Sequence, residues 1–134
     1  MTIYISGPMT GIRNFNHGAF EKAHKKLEKA FNAGGGFFKI ISPVKIAETV
    51  DADFSDMNRF LQKNQLLQMK KKPQWEDYMK ACLKRLPEAD FVFLLKGWQN
   101  SRGAALEIHI ADKLGIPHAE SIEELKQKME EVRI

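Results

Sequence analysis

One carboxylate, Glu107, stands out among the residues that could carry chemistry, because it follows a buried strand. The apolar run at 91–95 has no polar alternation, which predicts a strand covered on both faces. The loop after it leaves the carboxyl end of that strand, where open α/β sheets bind ligands. Ser101 can cap the next helix, and Gly103 and Ala104 let a ligand approach its first turn. We therefore expect a carboxylate and a bound phosphate to share this site.

A second turn follows the first predicted strand, Thr2–Ser6, and the two strands are expected to be central, so that both loops face one crevice. At Gly7 and Pro8 a ligand can approach the backbone closely, and Met9 offers an apolar face to a flat ring. Arg13 can donate hydrogen bonds to a phosphate. Neither loop has the glycine spacing of a dinucleotide fingerprint or of a phosphate loop with its lysine. This disfavours nucleoside triphosphates and nicotinamide cofactors, and a smaller, singly phosphorylated ligand fits better.

Length and composition predict a single domain over residues 1–134, with 43% hydrophobic and 28% charged residues. No apolar run approaches the roughly 18 residues of a membrane span, and the chain begins with a strand pattern, so we expect a cytoplasmic protein without a membrane partner. The single cysteine, Cys82, agrees with a reducing compartment. The net charge of +4 is modest and the Lys70-Lys71-Lys72 run is typical of a solvated face, so duplex nucleic acid is not an expected partner.

Alternating strands and helices predict an α/β fold, a three-layer Rossmann or flavodoxin-like sandwich with a parallel sheet of four or five strands. Further strands are predicted at 37–41 and 116–119. The segment 45–72 is predicted to be a polar loop around 51–56 followed by a weakly amphipathic helix at 57–69. Its role is open between a lid and an oligomer contact.

Three motifs occur in order: Tyr4-Ile5-Ser6-Gly7-Pro8, Ala89-Asp90-Phe91-Val92-Phe93-Leu94 and Ser101-x-Gly103-Ala104-x-x-Glu107. Together, and over nearly the whole chain, they resemble the nucleoside 2-deoxyribosyltransferase superfamily. The Trp75-Glu76-Asp77-Tyr78 stretch and the Gly97-Trp98 pair are similar to those of its small deoxyribosyltransferase-like proteins from phage and prophage genomes.

This resemblance implies cleavage of the N-glycosidic bond of a 2′-deoxyribonucleoside or its 5′-monophosphate. Glu107 would attack the anomeric carbon and form a covalent glycosyl-enzyme. Tyr4 would orient Glu107, and Asp90 would lie near the sugar or the leaving base. The resemblance also implies a dimer or higher oligomer and no metal or organic cofactor. The expected substrate-binding residues are Ser6, Gly7, Pro8, Met9, Arg13, Trp98, Ser101, Gly103 and Ala104.

One departure from the family concerns the loop before Glu107. Members that act on unphosphorylated nucleosides have an aspartate there, where this chain reads Gln99-Asn100-Ser101. Losing that carboxylate removes an acid for the departing base and makes room for a phosphate, with Ser101 and Arg13 as its implied ligands. This favours nucleotide hydrolysis over base exchange, and a loss of catalysis is also open. Trp98, beside the site, is expected to contact the ligand or a neighbouring subunit.

Plainer interpretations stand beside these. Glu107 can be a charge that the helix dipole stabilises near the helix start, and Ser101 can be only a helix cap. Trp75, Tyr78 and Met79 have the spacing of core residues rather than of a base-stacking platform. The alternative function is therefore a non-catalytic nucleotide or nucleotide-sugar binding module, and a third is an interaction protein that uses only the surface of the fold.

Overall fold

Five helices pack on a four-stranded sheet in the computed structural model, which describes residues 1–9 and 13–132. The strands are β1 (Thr2–Ser6), β2 (Lys39–Ile41), β3 (Phe91–Leu94) and β4 (His118–Ala119). The helices are α1 (His17–Phe31), α2 (Pro43–Lys63), α3 (Trp75–Arg85), α4 (Arg102–Lys113) and α5 (Ile122–Val132). Within the described ranges, no helix combines the length and the apolar character that crossing a membrane requires.

All strands run parallel in the order β2-β1-β3-β4, which confirms the predicted α/β sandwich and sets the number of its described strands at four. The central strands β1 and β3 pair from Ile3 with Phe91 to Ser6 with Leu94. The strand order reverses between them, as in flavodoxin-like sheets. The loops that leave their carboxyl ends therefore diverge and open a crevice at this point.

The central strands are almost wholly buried because both faces of the sheet are covered, and β3 is apolar throughout. Successive side chains point to opposite faces, so each strand contributes to two cores. One core lies under α1 and α5 and contains Ile3, Ile5, Phe20, Leu27, Phe91, Phe93 and Leu125. The other lies under α3 and α4 and contains Tyr4, Cys82, Leu86, Val92, Leu94, Ile108 and Ala111. Tyr4 thus points toward the helix that carries Glu107.

The segment 45–72 differs from its prediction. The polar loop expected at 51–56 is the middle of α2, which runs unbroken over 21 residues from Pro43 to Lys63. Ile46, Val50 and Leu61 return at helical spacing and are buried. The acidic residues between them lie on the exposed side, and their density concealed the helical period. The strand β2 is also shorter than predicted, because it begins at Lys39.

Gly7 ends β1 at a point of close backbone approach. A Cβ placed there would lie 2.7 Å from the Cβ of Leu95, which follows β3. That atom is attached directly to the backbone, so it cannot move aside cheaply. Gly7 therefore allows the segments that follow β1 and β3 to run close together directly after Ser6.

We expect Gly7→Ala to lower the free energy of unfolding by about 1–3 kcal/mol, because the added methyl group overlaps Leu95. Gly18→Ala is the matched control: a Cβ at this position in α1 meets nothing within 4 Å. Because alanine favours helices over glycine, that change should be neutral or stabilising by up to about 1 kcal/mol. Urea denaturation measures both variants. Equal effects would contradict the close approach at Gly7.

Candidate functional site

Glu107 lies at the point where the strand order reverses, and two side chains of β1 hold its carboxylate. The Tyr4 hydroxyl donates to Oε2, and the Ser6 hydroxyl donates to Oε1 at 3.0 Å. Glu107 is 4% exposed, and Tyr4 and Ser6 are fully buried. Because Tyr4 and Ser6 are two residues apart on a strand, they share one face. The predicted contact between Tyr4 and Glu107 is thus present.

The α4 helix presents Glu107 inward. Ser101 caps the helix, as predicted, because its hydroxyl accepts the Ala104 N–H at 3.2 Å. Ala104, Glu107, Ile108 and Ala111 recur at three- and four-residue spacing and are all buried. Glu107 therefore lies on the stripe of α4 that packs on the sheet. The plainer interpretation, a charge that the helix dipole stabilises near the helix start, does not account for this buried position.

Burial raises the pKa of Glu107 to about 7, although the hydrogen bonds from Tyr4 and Ser6 act in the opposite direction. Burial, followed by the charge of Glu107, raises the pKa of Tyr4 well above its usual range, so Tyr4 remains a donor. Among the side chains that the structure describes, no lysine, arginine or histidine forms an ion pair with Glu107. Glu107 is therefore a carboxyl that changes its charge near neutral pH, a common property of functional groups.

Cys82 lies in the same core, on α3. Burial, followed by the charge of Glu107, raises the pKa of its thiol to about 12. Because the thiolate is the nucleophilic form of cysteine, Cys82 is a poor nucleophile at neutral pH. The carboxylate of Glu107 is the better candidate for attack on a ligand.

Glu107 forms part of the wall of a cavity of about 400 Å³. This volume lies within the roughly 300–1,000 Å³ typical of small-molecule sites. Six of the predicted site residues line it: Gly7, Met9, Ser101, Gly103, Ala104 and Glu107. The structure thus brings the two predicted loops together at one crevice.

Other walls of the cavity come from helices that the sequence did not connect with the site. The first half of α2 contributes Glu48 and Asp51, so part of the segment without an assigned role lines the cavity. Trp75 and Tyr78, one turn apart on α3, line it as well, rather than packing only in the core. The Trp-x-x-Tyr spacing, which places both rings on one helix face, was the available signal.

Contacts among these helices stabilise the cavity walls. The guanidinium carbon of Arg102 lies 3.8 Å from the centroid of the Trp75 ring, a cation–π contact between α4 and α3. The Tyr78 hydroxyl donates to Asp51 Oδ1 at 2.5 Å and joins α3 to α2. A Cβ on Gly103 would lie 3.1 Å from the Met79 sulfur. Gly103 therefore also allows α4 to pack closely on α3.

The predicted position of Asp90, near the sugar or the base, is wrong. Its carboxylate accepts the backbone N–H of Thr2 at 2.8 Å, at the amino end of β1. Ser6, which contacts Glu107, lies four residues further along β1, or about 13 Å at strand spacing. Asp90 precedes β3, and parallel strands place all such residues at the edge opposite the crevice.

Trp98 and Pro8 are not among the residues that line the cavity, and a contact of Trp98 with a neighbouring subunit stays a prediction. The indole N–H of Trp98 donates to Glu120 at 2.9 Å, and its ring packs against the core rather than on the cavity. The Pro8 carbonyl accepts a hydrogen bond from the Asn16 side-chain amide at 2.9 Å. Arg13 begins a 3₁₀ turn, and its side chain lies outside the described residues.

A family model matches the chain over residues 1–119, and its description is "Domain of unknown function (DUF4406)". The chain belongs to the DUF4406 family. The matched DUF4406 region extends from β1 to β4 and includes Tyr4, Ser6 and Glu107. No curated protein and no solved structure matches the chain.

The pKa of Glu107 predicts a pH-dependent stability. Its ordinary value is 4.5 and its value in the fold is about 7, so the folded chain holds a proton that the unfolded chain has released between these pH values. This carboxyl therefore lowers the free energy of unfolding as pH rises from 4.5 through 7, by about 3 kcal/mol. The free energy of unfolding of Glu107→Gln, measured relative to that of wild type, should therefore rise by about 3 kcal/mol between pH 4.5 and pH 8.

Urea denaturation at the two pH values measures this gain. Glu130→Gln, a change at an exposed position on α5, is the control. Its free energy of unfolding should differ from that of wild type by the same amount at both pH values. A Glu107→Gln difference that is also independent of pH would contradict a raised pKa at Glu107.

Tyr4→Phe should raise the pKa of Glu107 above about 7, because it removes a hydrogen bond that stabilises the ionised carboxylate. Titration of the Glu107 side-chain carboxyl carbon by ¹³C NMR measures the pKa. Tyr78→Phe is the matched control, since it removes a hydroxyl in the same cavity that contacts Asp51. An equal shift in both variants, or none in Tyr4→Phe, would show that Tyr4 does not set this pKa.

Proposed function

We propose that this DUF4406 protein cleaves the N-glycosidic bond of a 2′-deoxyribonucleoside or its 5′-monophosphate, with Glu107 as nucleophile. The observation that supports this is a buried carboxylate, held by Tyr4 and Ser6, on the wall of a ligand-sized cavity. Burying an acid without a cation costs stability, and the described side chains supply Glu107 with none, so its presence favours a functional role. Membership of the nucleoside 2-deoxyribosyltransferase superfamily is part of the proposal.

In the first step, a Glu107 oxygen attacks the anomeric carbon of the sugar. The bond from that carbon to the base nitrogen breaks, and its electron pair leaves with the base, which takes up a proton from water. The sugar remains as an ester of Glu107. In the second step, water attacks the same carbon and releases the sugar, or a second base attacks and forms a new nucleoside. The bond from that carbon to the Glu107 oxygen breaks, its electron pair returns to the carboxylate, and the attacking group loses a proton to solvent. Either route restores the carboxylate.

Tyr4 and Ser6 prepare Glu107 for this attack. Each donates to a different carboxylate oxygen, so the group cannot rotate freely. Every carboxylate oxygen has about two acceptor positions, which leaves a lone pair for the sugar carbon. Donors that are already in place need not reorganise as charge moves during the reaction.

The remaining walls suit the other parts of the ligand. Met9 and Trp75 offer apolar surface to a flat base. Ser101 already accepts the Ala104 N–H, so its own hydroxyl hydrogen remains available to a phosphate oxygen. The first N–H groups of α4, at Arg102 and Gly103, add the positive end of a helix dipole.

A carboxylate nucleophile needs no redox or group-carrying cofactor, and none is part of this proposal. A reducing, cytoplasmic compartment is part of it, since Cys82 is a free thiol. The proposal also includes an assembly of at least two copies of the chain.

The test is incubation of the protein with deoxyribonucleosides and their 5′-monophosphates, with and without a free base, followed by chromatography. We expect base release from wild type and a loss of at least about 10³-fold in Glu107→Gln, because the nucleophile is removed. Asp90→Asn, at the opposite edge of the sheet, is the control and should retain activity.

The products separate the candidate reactions. Exchange into a new nucleoside would identify a transferase, and free sugar a hydrolase. Base release that survives in Glu107→Gln would exclude Glu107 as nucleophile. Saturable nucleotide binding without base release from any compound would instead favour the non-catalytic binding module.

A further inference from the structure

Two carboxylates on α2, Glu48 and Asp51, line the cavity, and the proposed reaction uses neither. They lie one turn apart on the same face of the helix. Glu107 is 4% exposed and marks the floor of the cavity, whereas Glu48 and Asp51 are exposed and lie toward its mouth. These carboxylates therefore face the part of a ligand that extends from Glu107 toward the mouth of the cavity.

Asp51 is held in place by Tyr78. The Tyr78 hydroxyl donates to Asp51 Oδ1 at 2.5 Å, and both residues line the cavity. Burial, followed by this hydrogen bond, raises the pKa of Tyr78 to about 12, so it stays protonated and remains a donor. One hydrogen bond occupies one of about four acceptor positions on a carboxylate. Oδ2 thus has acceptor positions for a ligand.

We propose that Asp51, positioned by Tyr78, selects bases with an exocyclic amino group on their Watson–Crick edge. This inference rests on the proposed function, because it requires a nucleoside in the cavity. A carboxylate accepts hydrogen bonds and cannot donate them, so it pairs with N–H groups and repels carbonyl oxygens. The neighbouring Glu48 adds a second acceptor at the same wall.

The bases differ strongly in what they offer to such a wall. Guanine presents two adjacent donors, its ring N1–H and its 2-amino group, which match the two oxygens of one carboxylate. Hypoxanthine keeps the ring N–H and lacks the amino group. Thymine places a carbonyl on each side of its only ring N–H. Guanine and hypoxanthine therefore form a matched pair that differs only in the group that Asp51 selects.

Binding to the Glu107→Gln protein tests the selection without turnover. The probes are deoxyguanosine and deoxyinosine, and the same pair as 5′-monophosphates, with affinities from isothermal titration calorimetry. We expect the guanine compound to bind roughly tenfold or more tightly, as for a hydrogen bond to a charged group. Adding Asp51→Asn should reduce that preference to about twofold or less.

Asp53→Asn in the same background is the matched control, because Asp53 lies on α2 but is not part of the cavity wall. It should keep the full preference. Tyr78→Phe should reduce the preference less than Asp51→Asn does, because it frees the carboxylate without removing its charge. The measured quantity is the ratio of the two affinities, which a general loss of stability does not change.

The outcomes distinguish this inference from the proposed function. Equal affinities, a preference that survives Asp51→Asn, or no binding of either probe would overturn the selection by Asp51. Base release by wild type without such a preference would leave the proposed function in place and remove only the selection. A preference that depends on Asp51 in a protein that releases no base would support the selection and remove the glycosidase.

Discussion

The hydrogen bonds from Tyr4 and Ser6 to Glu107 are the contacts on which the geometry of this site depends. A carboxylate inside a protein has lost its hydration, and here no described cation replaces it. The two hydroxyl groups recover part of that loss, and the raised pKa of Glu107 reflects the remainder. Any slip of α4 against β1 would break both bonds. The register of the central strands and the packing of α4 are therefore tied to this one side chain.

The same contacts explain why the cavity forms where it does. Ser101 caps α4 and sets where the helix begins, so that Glu107 reaches the sheet in its second turn. Close packing of α4 on α3 at Gly103 brings the aromatic face of α3 alongside. The hydrogen bond from Tyr78 to Asp51 then attaches α2 as a further wall. A buried acid to which the described side chains supply no cation is a feature that is more frequent at functional sites than in ordinary cores.

The errors in the sequence interpretation have definite physical causes. The sequence of α2 does not predict a continuous helix, because Asp51, Asp53 and Asp56 resemble a polar loop and the buried residues that set the helical period are widely spaced. Asp90 belongs to one of the motifs that carry the family resemblance, and the motif alone predicts a place in the site. Its carboxylate precedes a strand, however, and in a parallel sheet the residues before the strands and the residues after them lie at opposite edges, one strand length apart.

Local patterns were sufficient for the parallel sheet, the central position of β1 and β3, the cap at Ser101 and the place of Glu107 at the crevice. These features follow from side-chain period, helix capping and the handedness of strand–helix–strand units, which act over short stretches of chain. The partnership of Asp51 with Tyr78, and their place in one cavity with Glu107, emerged only from packing. These residues are on three different helices, and the way helices pack on a sheet depends on the shapes of all the side chains between them.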